Sequence, residues 1–345
     1  MLQKPQIFNH KKDAPHGAVV VEAFENSLRE LFFISHPQAQ KGTRQAEEEA
    51  QKFIASHQNE DCWIYYPHTH TLVHSVQEES YFTLRTARNR NIITNDEQER
   101  YRNAKVGVAG LSVGSAILSA LVMSGGPKNL KIADFDIIEI SNLNRMKASL
   151  LDVGTSKAFV AARQIWEIDP FANLTVYEKG IGEDTMQEFI AGDPRLDIFV
   201  DEMDNIKLKI LARLRCQENK IPVLMATDNG DGIILDVERF DLEPSRPLFH
   251  GTVEDIIHQD LEKLDYRQWL SFATKIVSAQ YLTQRMQESI LEIGKTIAAV
   301  PQLGTSAALG GSAVAYASRR IANSQDMPSG RYVVSLEASI NALKH

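Results

Sequence analysis

The chain has 345 residues, 43% hydrophobic and 24% charged, with a formal net charge of −8 at neutral pH. That composition suits a soluble globular protein with room for one large domain and an accessory region. The acidic balance argues against a nucleic-acid-binding surface, and no uncharged apolar run is long enough to span a bilayer. Met1–Pro5 begins no apolar signal-peptide core, so a cytoplasmic protein free of membrane is expected. The two cysteines, Cys62 and Cys216, form no Cys-x-x-Cys pair and no disulfide framework.

Residues 1–87 read as a separate N-terminal α+β region whose role is not legible. Ala18-Val19-Val20-Val21 suggests a short strand, Arg44–Ala55 a charged amphipathic helix, and Trp63–Pro67 with Thr71–His74 a hairpin. His68, His70 and His74 share strand parity, which makes a metal site conceivable. With no carboxylate partner in view, solvated histidines are the simpler expectation. Thr94 followed by Glu97 is a capping box that opens a helix ending near Asn103.

From there strands alternate with helices. Strands are expected near 105–109, 130–134, 173–178, 197–201 and 222–226, and helices near 113–124, 156–167, 184–191 and 205–218. This order implies an α/β fold, a doubly wound and mainly parallel Rossmann-like sheet. Beyond Gly232 the pattern changes. Ile233–Val237 suggests a strand, Gln268–Ile293 is helix-rich, Ser306–Ile321 is a helix of small residues, and Tyr332–Leu336 reads as a last strand.

The most informative stretch lies in the α/β part. A β-branched strand runs into Gly110-Leu111-Ser112-Val113-Gly114-Ser115 and a helix. The second strand ends in Asp134-Phe135-Asp136, and a polar loop follows, Ser141-Asn142-Leu143-Asn144-Arg145. The glycines let the backbone approach a phosphate, and the N–H groups opening the helix bind it. An acid at the end of the second strand suits a ribose hydroxyl. A nicotinamide enzyme has no need of the arginine loop, whereas an enzyme that grips a triphosphate does.

These residues resemble the ThiF/MoeB family of adenylating enzymes, relatives of the ubiquitin-activating enzymes. Gly154-Thr155-Ser156-Lys157-Ala158 is similar to the family's Gly-x-x-Lys, and Val200-Asp201-Glu202-Met203-Asp204-Asn205 to its Asp-x-x-Asp-Asn. Arg88-Asn89-Arg90-Asn91-Ile92 resembles its Arg-Gln-Ile arm. The resemblance runs from about Arg88 to the C-terminus, so residues 88–345 are read as the adenylating domain, with Ile233–Val237 in its antiparallel extension.

The resemblance implies attack by a carboxylate on the α-phosphate of ATP, giving an acyl-adenylate and pyrophosphate. Gly110, Ser112 and Gly114 would form the phosphate turn. Asp134 would take the ribose, with Asp136 orienting the shell. Asn142, Arg145 and Lys157 would contact the phosphates, and Asp204 would hold Mg2+. Arg90 would reach the γ-phosphate of a second subunit, which implies a homodimer. The acceptor would be a ubiquitin-like or sulfur-carrier protein, a peptide C-terminus or a small acid. The family's zinc cysteines are missing, so no zinc is expected. No cysteine follows Cys216, so no enzyme thioester is expected either.

Four departures stand out. Relatives read Gly-x-Gly-Gly-x-Gly, and here Ser112, Val113 and Ser115 replace glycines. Val113 would place a side chain on the path of a Gly-Gly tail. Arg213 replaces an asparagine common in the helix after Asp204. The rival readings are a non-catalytic scaffold or partner subunit, which the altered turn favours, and an NAD(P)-dependent oxidoreductase.

Overall fold

The computed structural model describes residues 2–256, 261 and 264–340. It divides into two compact units, Met1–Gln98 with Trp166–Phe171, and Glu99–Ile165 with Ala172–His345.

The first unit is a four-stranded sheet with three helices. Strands β1 (Gln6–Phe8), β2 (Val19–Glu22), β3 (Asp61–Tyr66) and β4 (Thr71–Val76) lie in the order β1-β3-β4-β2. The expected hairpin is β3–β4, antiparallel, with Trp63 opposite His74. Helix α1 (Phe24–Ser35) buries Phe24, Leu28, Leu31 and Phe32, the spacing of one helical face. Helix α2 (Arg44–Ser56) is capped by the Thr43 hydroxyl, and α3 (Glu78–Thr86) follows β4. The three histidines do not converge. His68 meets Glu167 at 2.8 Å, His70 meets the Tyr65 hydroxyl at 2.8 Å, and His74 lies between Glu22 and Asp61 at 2.7 and 3.0 Å. Carboxylates distant in sequence therefore partner two of them. Among the described residues no group of three or more His, Cys, Asp or Glu could hold a metal ion.

Helix α4 (Asn95–Asn103) opens with the expected capping box, since Thr94 N–H donates to Glu97 at 2.8 Å and Glu97 N–H to Thr94 Oγ1 at 3.3 Å. The second unit then alternates β5 (Lys105–Ala109), α5 (Gly114–Met123), β6 (Asn129–Ala133), α6 (Lys157–Ile168), β7 (Asn173–Tyr177), α7 (Met186–Ala191), β8 (Ile198–Asp201), α8 (Ile206–Glu218) and β9 (Val223–Asn229). Strand β10 (Gly232–Glu238) turns back antiparallel. Helices α9 (Tyr266–Val277), α10 (Gln284–Glu292) and α11 (Gly304–Ala322), strand β11 (Gly330–Val334) and the short α12 (Leu336–Ser339) complete the chain. The seven-stranded sheet has the order β11-β10-β9-β8-β5-β6-β7. It is parallel from β9 to β7 and antiparallel across β9–β10–β11.

Strand order reverses between β5 and β8, which pair from Val106 opposite Ile198 to Ala109 opposite Asp201. The crevice beyond their carboxyl ends is the topological switch point where doubly wound sheets bind ligands. Small residues bring the layers close around it. A Cβ on Gly311 of α11 would lie 2.7 Å from the Ala116 carbonyl of α5, so the two helices pack backbone to backbone. Among the described residues no helix is long and apolar enough to cross a membrane.

Candidate functional site

The turn after β5 is fixed by Gly110. Its φ is +88°, and a Cβ there would fall 2.2 Å from the Glu202 carbonyl, because the loop leaving β8 runs directly against it. Only glycine meets both conditions. Helix α5 starts at Gly114, and its Ser115, Ala116 and Ile117 N–H groups donate to the Leu111 and Val113 carbonyls at 3.3, 3.0 and 3.3 Å, so an anion at this end would meet the N–H groups of the turn before the helix. Asp134, one residue past β6, binds the turn to the second strand. Its Oδ2 accepts from Leu111 N–H at 2.6 Å and its Oδ1 from Asp136 N–H at 2.8 Å. Burial pushes its carboxyl up, against those two N–H groups and Lys157. Each oxygen keeps a lone pair for a further donor.

Two cations approach the crevice. Lys157 opens α6, is itself buried, and holds the exposed Asp136 at 2.7 Å. Arg145 is half-buried, with Nε donating to Ser112 Oγ at 3.0 Å and Nη1 to Ser141 O and Asn144 Oδ1 at 3.2 and 3.0 Å. Burial pulls its guanidinium down, while Asp228 and Asp204 push it up. Ser112 is therefore more than a lost glycine: its hydroxyl orients the arginine. Asn142 is buried beneath this loop. Its Oδ1 accepts from Glu139 N–H at 3.0 Å and its carbonyl from the N–H groups of Arg145 and Met146 at 3.1 and 2.9 Å. In this arrangement Asn142 shapes the arginine loop.

Asp204 is exposed in the loop after β8. It does not cap α8. That cap is Asn205, whose Oδ1 accepts from Leu208 N–H at 3.0 Å, so the Asp204 carboxylate is not engaged in capping. Val113 also departs from expectation. It is buried, and Gly310 of α11 faces its Cγ1, so its side chain fills the α5–α11 contact and does not stand in the crevice. Arg90 belongs to the first unit, exposed, with Nη1 3.5 Å from Ile34 O.

The structure gives partners to Arg213, named above only as a departure, and adds residues that the motif reading passed over. Arg213 is fully buried. It pairs with Asp201 at the end of β8 and with Glu238 at 2.6 Å, and its guanidinium lies 3.6 Å from the Phe249 ring centroid. Lys209 reaches Asp201 at 3.2 Å, so it too serves this cluster. The signal was present: Ile206, Ile210, Arg213 and Cys216 occupy the buried stripe of α8, where an arginine requires buried partners. Glu202 accepts from Ala226 N–H at 2.8 Å, and burial pushes its carboxyl well up. Asp228, at the end of β9, is buried against Ser306 of α11. Both cysteines are buried. Burial, then Asp61, pushes the Cys62 thiol up to about 12, and burial pushes Cys216 well up.

A family model described as the ThiF family matches residues 86–290. The chain is 37% identical over 281 residues to an uncharacterized protein of Mycobacterium tuberculosis, covering 81% of this chain and 39% of that protein. It is 28% identical over 179 residues to the molybdopterin-synthase adenylyltransferase of Haemophilus influenzae, covering 50% of this chain and 65% of that one. It is 30% identical over 179 residues to the tRNA threonylcarbamoyladenosine dehydratase of Bacillus subtilis, covering 51% and 68%. The chain thus spans less than two thirds of the first two relatives. Among solved structures, that of PaaA superposes with a TM-score of 0.52 at 20% identity, covering 75% of this chain and 77% of that one. The tRNA N6-threonylcarbamoyladenosine dehydratase of Escherichia coli, in complex with AMP, superposes at 0.50 and 18% identity, covering 70% and 96%. Both share the fold.

Proposed function

The chain belongs to the ThiF family, and from that premise we propose that it activates a carboxylate by ATP-dependent adenylation. The observation that carries this reading is the setting of Arg145. Ser112 of the glycine turn holds its guanidinium, and Asp204, from the loop after β8, acts on it, so the turn and the end of β8 converge on one cation. Hydride transfer has no use for such a centre.

In the reaction a carboxylate oxygen attacks the α-phosphorus of ATP, the bond to the bridging oxygen breaks, and pyrophosphate leaves with the electron pair. The chain's task is to hold the triphosphate in line and neutralise charge. The N–H groups of the turn before α5 take phosphate oxygens. Arg145 offers a planar fork and Lys157 a point charge at the start of α6. Asp134 uses its remaining lone pairs for the ribose. Asp204 would hold Mg2+ together with the phosphates, since that ion is bound through one or two carboxylates when phosphates and water complete its shell. Mg2+ would supply charge neutralisation on the triphosphate. The name adenylyltransferase borne by one relative, and AMP in the E. coli structure, support a nucleotide at this crevice.

Residues 88–345 form the adenylating domain in this reading and residues 1–87 an accessory region. The acceptor is the carboxylate of a ubiquitin-like or sulfur-carrier protein, a peptide or a small acid. Two chains form a homodimer in which each Arg90 completes the other's site. The adenylate passes to an external nucleophile, because neither buried thiol is suited to attack it. The test is carboxylate-dependent ATP–pyrophosphate exchange together with thermal shift. Mg-ATP at a hundred times its dissociation constant should add about 2.7 kcal/mol of stability. A larger shift with NADH would overturn the reading, and so would Mg-ATP binding without exchange across proteins, peptides and small acids, which would favour a scaffold.

A further inference from the structure

We propose that Asp228 carries a proton at neutral pH, and that this neutral carboxyl, bonded to Ser306, keeps the charge of Arg145 available to an anionic ligand. The second half rests on the reading of Arg145 as a phosphate contact. The first half does not.

The argument starts from one hydroxyl. Ser306 Oγ lies 2.6 Å from Asp228 Oδ1 and 2.8 Å from the Gly232 carbonyl oxygen. A hydroxyl has a single proton. Were Asp228 ionised, one of these two short contacts would be oxygen against oxygen with no hydrogen between. A proton on Oδ1 resolves both: Asp228 donates to Ser306, and Ser306 donates to Gly232. Burial adds to this. Asp228 is 6% exposed, and a buried carboxyl is far costlier charged than neutral.

The surrounding influences are mixed. Burial opposes the ionised form, and the Ser306 and Gln302 side chains and Arg145 favour it. Asp231, in the β9–β10 turn, is engaged by the Thr305 hydroxyl at 2.8 Å, and Asp204 acts on Arg145. Burial outweighs the stabilising neighbours, and the Asp228 carboxyl is pushed up.

The consequence concerns charge. An ionised Asp228 would cancel part of Arg145 before any phosphate arrived. A neutral one leaves the guanidinium uncompensated on that side, with Ser112 fixing its direction.

Two measurements test this. In the first, the Asp228 side-chain carbon is followed by NMR in protein labelled with 13C-aspartate, its signal assigned by loss in Asp228→Asn. A protonated-acid shift at pH 7 is expected, and a carboxylate shift overturns the proposal whether or not nucleotide binds. In the second, calorimetry with α,β-methylene-ATP and Mg2+ compares wild type with Asp228→Asn from pH 6 to 9. The asparagine is neutral and can donate to Ser306 as the acid does. Its affinity should match wild type within about twofold at pH 7, while wild type alone weakens as pH rises through the ionisation of Asp228. Tightening by about tenfold in Asp228→Asn at pH 7 would mean that a charge had been removed, and would overturn the proposal. An acid-form signal in a wild type that binds no nucleotide would overturn the charge role and the adenylation reading, and leave the proton placement upheld.

Discussion

Replacing Arg213 by methionine should destabilise the protein by about 3–5 kcal/mol, the cost of breaking a buried ion pair by removing one partner. The structure says where that cost falls. Asp201 would keep Lys209 at 3.2 Å and the Met203 N–H at 3.1 Å. Glu238 is 1% exposed and would keep only the Phe249 N–H at 2.7 Å, so it becomes an uncompensated buried carboxylate. Methionine against the Phe249 ring recovers about 0.3–1.5 kcal/mol of the lost cation–π contact. The pH dependence gives a second signature. In the wild type the Asp201 carboxyl is held low by Lys209 and Arg213, against burial, so its stabilisation is present above about pH 3.9 and lost as pH falls further. In the variant Arg213 no longer holds Asp201 low, so the deficit should shrink as pH falls below about 3.9 and the wild type loses that stabilisation. Adding Glu238→Gln should recover at least about 1 kcal/mol at pH 8. Urea unfolding followed by tryptophan fluorescence measures all three. A loss under about 1 kcal/mol, or a deficit that grows on acidification, would refute the reasoning.

Four further outcomes are expected. Asp204→Ala should abolish pyrophosphate exchange with stability unchanged within about 0.5 kcal/mol, whereas Asn205→Ala should cost about 1 kcal/mol; full exchange by soluble Asp204→Ala would remove the metal role. Ser112→Ala frees Arg145 Nε and should raise KM for ATP about tenfold without altering the melting temperature; an unchanged KM would show that the hydroxyl does not orient the arginine. The Cys62→Ser, Cys216→Ser double variant should retain both exchange and product formation, and exchange with product lost would expose a dismissed nucleophile. Mixing Arg90→Ala with Lys157→Ala subunits should restore one site per heterodimer, and an active monomer by light scattering would exclude the shared site.

Most of the second unit was legible because its strands and helices are punctuated by glycine, acid and caps at regular intervals. Eight of the nine elements from β5 to β9 fall within two residues of the expected bounds, and β9 runs three residues past its expected end. The first unit was less legible. Its α1 carries a plain helical stripe, Phe24, Leu28, Leu31 and Phe32. No motif drew attention to that stripe, and β1 is only three residues long. At the site, motif position singled out Asp134, Arg145 and Lys157, but the contacts each makes are set by partners that the motif does not name. Asn142 is turned into its own loop and Asn205 takes the cap. Such contacts depend on which loops meet beyond the strand ends, and spacing along the chain does not encode that.

The altered glycine turn is where these threads meet. A lost glycine suggests a lost site if the new side chain enters the crevice. Here Val113 enters the α5–α11 contact opposite Gly310, so a compensating small residue accepts the added bulk. Ser112 takes Arg145 Nε at 3.0 Å and so gains a polar task that glycine cannot perform. Asp228, tied to α11 through Ser306, lies within electrostatic reach of the same arginine. The substitutions are thus connected: one packs α11, one orients Arg145, and α11 in turn supplies the hydroxyl that binds Asp228. A decaying scaffold would leave such changes uncoupled, with bulk unaccommodated and charges unpaired. Their mutual fit argues for a turn reshaped as a unit, with Gly110, the start of α5 and Lys157 left in place.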